Sequence, residues 1–230
     1  MISETKFARG YSSFWMEYFP WLNSYSKYIN EYHLDKSLSS VPKMDKPEHH
    51  SINNTIAFFH YRNLISDSNY SIDSSKEEAL QYMKRFLGNN VSTYNFGIYD
   101  KYVINMQIKN LQKIPKCNLT LDPPFPGCGI IDNCKGDVLQ GNKLIEVKAG
   151  SRTIQPSDLK QLIVYVALNW ASSTIKYDIS QLEIFNPRVG YLWTVKIDDF
   201  FYSVTNEPKE VVFEQLVKYL VAQSEEMVIE

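Results

Sequence analysis

The sequence predicts an α/β layered domain preceded by a helical N-terminal region. Three observations carry this. Residues 136–148 (GDVLQGNKLIEVK) read as two short strands joined by a tight turn. Residues 157–170 read as a helix that is apolar almost all round, as a helix buried on both sides must be. Residues 181–197 read as a second hairpin, so strands and helices interleave along the C-terminal half.

At 230 residues the chain is long enough to bury a substantial core. It contains no apolar run long enough to span a membrane and no charged-then-apolar leader. Three Cys, an odd number, argue against a secreted disulfide framework. A cytoplasmic protein is the expectation.

Residues 12–33 are rich in aromatics: Phe14, Trp15, Tyr18, Phe19, Trp21, Tyr25 and Tyr28. Their spacing of three and four suits an amphipathic helix, interrupted at Pro20. Core packing is the simpler reading. A docking face for a partner protein or a second copy, or a stacking surface for bases, stays open. Residues 36–51 form a polar loop, and its adjacent His49 and His50 are expected to be solvated, with no third metal ligand at close spacing.

Residues 53–66 and 75–88 read as helices. Ser74 or Ser75 is the expected cap of the second, with Glu77 and Glu78 in its first turn. Residues 94–114 fit a strand through Tyr102, Ile104, Met106 and Ile108, and a helix through Ile104, Ile108 and Leu111; we read a helix. Asn118–Leu121 is a strand, and 122–127 (DPPFPG) a stiff turn-rich loop. Cys117, Cys128 and Cys134 around it read as small buried residues with free thiols.

The hairpin at 136–148 carries the chemistry. Gly141-Asn142 is a two-residue turn signal. It sets Gln140 opposite Lys143, Leu139 opposite Leu144, Val138 opposite Ile145 and Asp137 opposite Glu146. Opposed carboxylates repel, and Lys148 lies two residues beyond Glu146 on the same face. Two carboxylates and an ammonium are thus predicted to converge. Around them, residues 101–160 hold nine Lys/Arg against five Asp/Glu. Lys135, Arg152 and Lys160 are the candidates for contact with a phosphate backbone, although an ordinary solvated surface explains the same count.

On the helix that follows, Ser157 is the expected cap and Asp158 suits the first turn. Gln161 and Tyr165 are i,i+4 neighbours. Asp137, Glu146-x-Lys148 and this Q-x-x-x-Y pair together resemble the PD-(D/E)XK nuclease superfamily, in particular its RecB-type branch. The motifs span about 30 residues, and Gly136 stands where the family has Pro. The resemblance implies a nuclease core over 93–230, with a mixed central sheet flanked by helices, and a helical region over 1–92. It implies a Mg²⁺-dependent nuclease, with Mn²⁺ able to substitute. Asp137, Glu146 and the Val147 carbonyl would hold the metal. Lys148 would orient the attacking water or stabilise developing charge, and Gln161 and Tyr165 would fix the metal shell or a phosphate. Nucleic acid, DNA first, is the implied partner; a defence, repair or mobile-element setting is the implied context. In related nucleases a helix before the sheet often adds an acidic ligand, here Glu77 or Glu78. A nuclease-fold module that binds nucleic acid or scaffolds a complex without cutting is the alternative.

Beyond the helix, 186–189 (NPRV) turns the second hairpin and leaves Arg188 at an exposed tip. Residues 208–224 form a last amphipathic helix before an acidic tail.

Overall fold

In the computed structural model, residues 1–87 and 94–229 are described. Residue 88, the boundary between 92 and 93, and the terminal Glu230 lie outside the described residues.

Seven strands form among the described residues. They are β1 (Leu119–Leu121), β2 (Pro124–Phe125), β3 (Cys134–Lys135), β4 (Val138–Gln140), β5 (Lys143–Val147), β6 (Gln181–Asn186) and β7 (Tyr191–Lys196). One mixed sheet takes five of them in the order β1-β4-β5-β6-β7, and β2 with β3 makes a small separate ribbon. Gly141 adopts φ +60°, the left-handed conformation wanted at the first position of a two-residue turn. The register is the one the sequence predicts, Val138 to Ile145, Leu139 to Leu144 and Gln140 to Lys143. The β5–β6 pair is parallel and β6–β7 antiparallel. A parallel pair needs a crossover, and α7 (Pro156–Ala171) supplies it.

The alternation of the hairpin sets the layers. Leu139 and Leu144 face one core with Leu159, Leu162 and Ile163 of α7. Val138 and Ile145 face another with Tyr61, Leu111 and Phe185. On the first face, α1 (Glu4–Arg9), α2 (Ser12–Tyr18) and α3 (Leu22–Tyr32) join α7, together with α8 (Ile197–Thr205) and α9 (Lys209–Ile229). On the second face lie α4 (His50–Ser66) and α6 (Ile98–Leu111), with α5 (Ile72–Leu87) packed against α4. The N-terminal helices α1 to α3 therefore share a core with the sheet. The aromatic stripe divides: Phe14, Trp15 and Phe19 are buried, whereas Trp21 and Tyr28 are exposed. No described helix is long and apolar enough to cross a membrane.

Several local expectations are corrected. Helix α5 begins at Ile72, earlier than expected, and Ser71 Oγ accepts from the Ser74 N–H at 3.0 Å. Glu77 and Glu78 are therefore outside its first turn, and Glu78 pairs with Arg62 and Asn63 of α4 instead. Helix α7 starts at Pro156, so Ser157 lies inside it and caps nothing. Asp158 takes the capping role, accepting from the Gln155 N–H at 2.9 Å. His49 and His50 are half-buried and paired, 3.0 Å from Asp100 and 3.2 Å from Asp45, where the sequence alone predicts full solvation. Cys117 is exposed, not buried, and Cys128 and Cys134 are half-buried; all three thiols are free. Arg188 is the largest reversal. It is 4% exposed and forms two bonds to Asp45, at 3.1 and 2.9 Å. The hairpin tip is covered by the 35–46 segment, which the local sequence does not announce.

Candidate active site

The site forms where β4 and β5 part from their ladder. Asp137 immediately precedes β4. Its Oδ2 accepts from the Val147 N–H at 2.8 Å, and its own carbonyl accepts from the Asp122 N–H at 3.0 Å. A side chain thus replaces the next rung. Gly136 leaves room for the ring of Phe125, which a Cβ there would meet at 3.1 Å.

Glu146 points from β5 towards α7 and is 3% exposed. Its Oε1 accepts from Lys148 Nζ at 2.7 Å. Its Oε2 is buried without a partner. Lys148 Nζ also donates to Gln161 Oε1 at 2.7 Å. Gln161 Nε2 in turn donates to the Tyr165 hydroxyl at 2.7 Å and faces Glu4 Oε1 at 3.4 Å. Tyr165 is buried, and its ring stacks on Phe125 with centroids 5.2 Å apart. The predicted Asp137, Glu146, Lys148, Gln161 and Tyr165 are therefore brought into one neighbourhood.

The electrostatics follow from burial. Burial pushes the Asp137 carboxyl well above the usual carboxylate range; the Glu146 charge adds to this, and Lys148 and the Val147 N–H oppose it. Glu146 is likewise raised by burial, against the pull of Lys148. For Lys148 burial opposes the charge, but Glu146 and Asp137 outweigh it and raise its pKa. Lys148 is thus held as an ammonium. Burial, with the neighbouring carboxylates, raises Tyr165 too, so it stays a neutral phenol. The Cys134 thiol beside them is pushed up to about 12 by burial and by the charges of Glu4 and Glu146, which leaves it inert.

A cleft of about 700 Å³ opens beside Asp137 and Val147, between the α4–α5 pair and the edge of the sheet. Lys135 lies on it. Arg152 and Lys160 do not. Arg152 forms a fork on Asp158 at 2.5 and 2.8 Å. The Lys160 ammonium sits 5.1 Å from the centre of the Trp15 ring, towards the N-terminal helices.

Sequence reasoning missed four contributors. Glu4 reaches Gln161 because Ile2 pairs with Ile131 and anchors the first helix. Asn54 donates to the Ala149 carbonyl at 2.7 Å, and Asn186 donates to the Gly150 carbonyl at 2.9 Å. These two amides clamp the chain just after Lys148. Arg188 Nε donates to Asn54 Oδ1 at 2.7 Å, which ties the clamp to the buried Asp45–Arg188 pair. No local pattern marks any of these residues; each depends on a partner distant in sequence.

Compared with known proteins, the chain matches no family model, no curated protein and no solved structure. The site's own chemistry is what bears on function. Glu146 is buried with one oxygen unpartnered, Asp137 is half-buried beside it, and both have raised pKa values, an arrangement that a cation beyond Lys148 would relieve. An unmet buried acceptor costs roughly 1–3 kcal/mol, and more when charged. Among the described residues, no group of three or more His, Cys, Asp or Glu side chains is placed to hold a metal ion. The donors present are few and hard. They suit Mg²⁺, which keeps several of its waters and takes one or two carboxylates, and not a closed zinc cage.

Proposed function

We propose that the protein is a metal-dependent nuclease of the PD-(D/E)XK type, hydrolysing phosphodiester bonds in nucleic acid. The observation that carries the reading is the grouping of Asp137, held on the Val147 N–H, with Glu146, which bonds Lys148 by one oxygen and leaves the other buried without a partner. The topology supports it. Three antiparallel strands are followed by a helical crossover to a parallel fourth, a mixed sheet flanked by helices such as the resemblance implies.

Asp137 and Glu146 would hold Mg²⁺ or Mn²⁺, with the Val147 carbonyl as a third protein oxygen. A bound divalent ion lowers the pKa of coordinated water and screens charge on the phosphate. Lys148 keeps its proton and sets a fixed positive charge beside the carboxylates, where negative charge builds in the transition state. Gln161 holds the Lys148 ammonium by its carbonyl, and Tyr165 holds Gln161. The role of this pair is thus to aim Lys148.

A module that binds nucleic acid without cutting is favoured by one feature, the near-complete burial of Glu146. A cleavage assay decides. Purified protein is incubated with Mg²⁺, Mn²⁺ or EDTA on single- and double-stranded DNA and RNA. Cutting is expected only with a divalent ion. Lys148→Ala is expected to lose activity by about 10²–10³-fold, the scale for loss of one preorganised charge-stabilising group. No cutting under any condition, or wild-type cutting by Lys148→Ala, overturns the reading.

A further inference from the structure

We propose that the cleft between α4–α5 and the sheet edge is a channel for one nucleic-acid strand, and that single strands are the substrate. This rests on the nuclease reading above. Asp137 and Val147 lie on the cleft, so a phosphate passing along it reaches one of the two metal-binding carboxylates.

The walls have the chemistry of a strand channel. On the helical side stand Arg62 of α4 and Arg85 of α5, and on the sheet side stands Lys135 of β3. The two wall carboxylates beside Arg62, Glu78 and Asp122, are both paired to it. One guanidinium against two carboxylates offsets part of their repulsion of a phosphate chain, and the exposed Arg85 and Lys135 face the cleft from opposite sides. The floor of the helical wall is aromatic. Phe58 and Phe59 line it, and the Arg62 guanidinium lies 4.3 Å from the centre of the Phe59 ring. Grooves that combine cationic side chains with aromatic and guanidinium planes bind single strands by phosphate contact and base stacking; here Arg62, Arg85 and Lys135 face Glu78, Asp122 and Asp137, a balance that a divalent ion held at Asp137 would tip to positive.

The dimensions choose the strand number. Arg62 Nη1 and Asp122 Oδ2 meet at 3.2 Å and tie the helical wall to the sheet wall. A duplex is too large to lie between walls that enclose so small a volume, whereas a single strand can. A volume of about 700 Å³ falls within the range that encloses one small ligand, roughly one or two nucleotides.

DNA and RNA share the phosphate chemistry used here, so both are arms of the test. Labelled single-stranded DNA, single-stranded RNA and blunt duplex DNA of one sequence are titrated by fluorescence anisotropy, with Ca²⁺ in place of Mg²⁺. Single strands are expected to bind at least about tenfold more tightly than duplex, and the tighter of the two single strands names the sugar. The double variant Arg85→Ala/Lys135→Ala is expected to weaken strand binding about tenfold. The slope of log affinity against log salt should become shallower by about 1.4, the value for two lost phosphate contacts on a single strand. Arg85→Lys/Lys135→Arg keeps the charges and is expected to bind as wild type. Tighter binding of duplex, or unchanged strand binding by the alanine variant, overturns the channel. If that unchanged variant also cuts as wild type, the channel is wrong and the nuclease reading stands. If strands bind through Arg85 and Lys135 but no metal supports cutting, the channel stands and the nuclease reading falls.

Discussion

Glu146 enters the fold as a buried carboxylate with one oxygen on Lys148 and the other without a partner, and the Asp137 carboxyl is close enough to raise its own pKa against it. Without metal, both groups hold protons to higher pH in the native state than in the unfolded chain, where carboxyls titrate near about 4. From that pH up through the raised values, the folded state binds more protons than the unfolded one, so stability falls as pH rises. Lys148 has the opposite place on the scale: its raised pKa adds stability that is lost only in alkaline solution. Asp137→Asn tests this balance, since an amide oxygen can still accept from the Val147 N–H. In EDTA the variant should melt above the wild type, by an amount that reflects up to about 1 kcal/mol for directly opposed like charges. The gap should widen from pH 5 to pH 7.5. Added Mg²⁺ should close it, because a ligand at 100 times its Kd stabilises the wild type by about 2.7 kcal/mol. Differential scanning fluorimetry across pH and metal gives each value. A gap that stays constant with pH would mean that Asp137 is ionised without strain.

Among the elements, the end of β5 is fixed by a tertiary network. Asp45 and Arg188 form a buried pair, Arg188 holds Asn54, and Asn54 holds the Ala149 carbonyl one residue past Lys148. Burial opposes the Asp45 charge, but Arg188, Asn53 and His50 outweigh it and hold the carboxyl below the usual range. Arg188→Leu leaves that charge buried and should cost about 3–5 kcal/mol in urea denaturation. Asp45→Leu/Arg188→Leu should recover much of the loss, since no lone charge remains. Equal loss in the single and double variants would show that the packing of Arg188, and not its charge, matters. This network also marks where the sequence stopped being legible. The β4–β5 register could be read because a two-residue Gly-Asn turn leaves little freedom, and α7 because its apolar surface is continuous. Arg188 sits in a polar turn that looks exposed until Asp45 is brought over it. Glu78 follows the same logic, because the partner that fixes it, Arg62, lies on another helix, where no helix-end rule reaches. Helix α8 is legible in the sequence, since Ile197, Phe200, Phe201 and Val204 recur at helical spacing and are all buried; it begins at Ile197, the last residue of the expected hairpin.

At the scale of the whole molecule, the sheet has helices on both faces, and the two faces meet different parts of the site. Helix α7 and the first helices support Glu146, Lys148, Gln161 and Glu4, whereas α4 and α5 form the far wall of the cleft on which Asp137 lies. The same loop fastens both ends of the described chain. Ile2 N–H donates to the Ile130 carbonyl, and Ile130 N–H donates to the Leu220 carbonyl of α9. Gly129 permits this close approach: at φ +56° its Cα faces the α9 backbone, and a Cβ there would meet the Leu220 carbonyl oxygen at 2.1 Å. The contacts that complete the site join residues far apart in the chain, 157 positions for Glu4 and Gln161 and 134 for Asn54 and Arg188. Loop closure of that length must be met before such contacts return any free energy, so topologies rich in them fold slowly. The β4–β5 hairpin and α7 need only local closure. In a refolding experiment from urea, far-UV circular dichroism should therefore recover first and the active form later. Simultaneous recovery of ellipticity and of cleavage would show that the clamp behind Lys148 forms with the hairpin. With the expected delay, time separates a folded-looking chain from a competent one, and the proposed catalysis is the last property the polypeptide acquires.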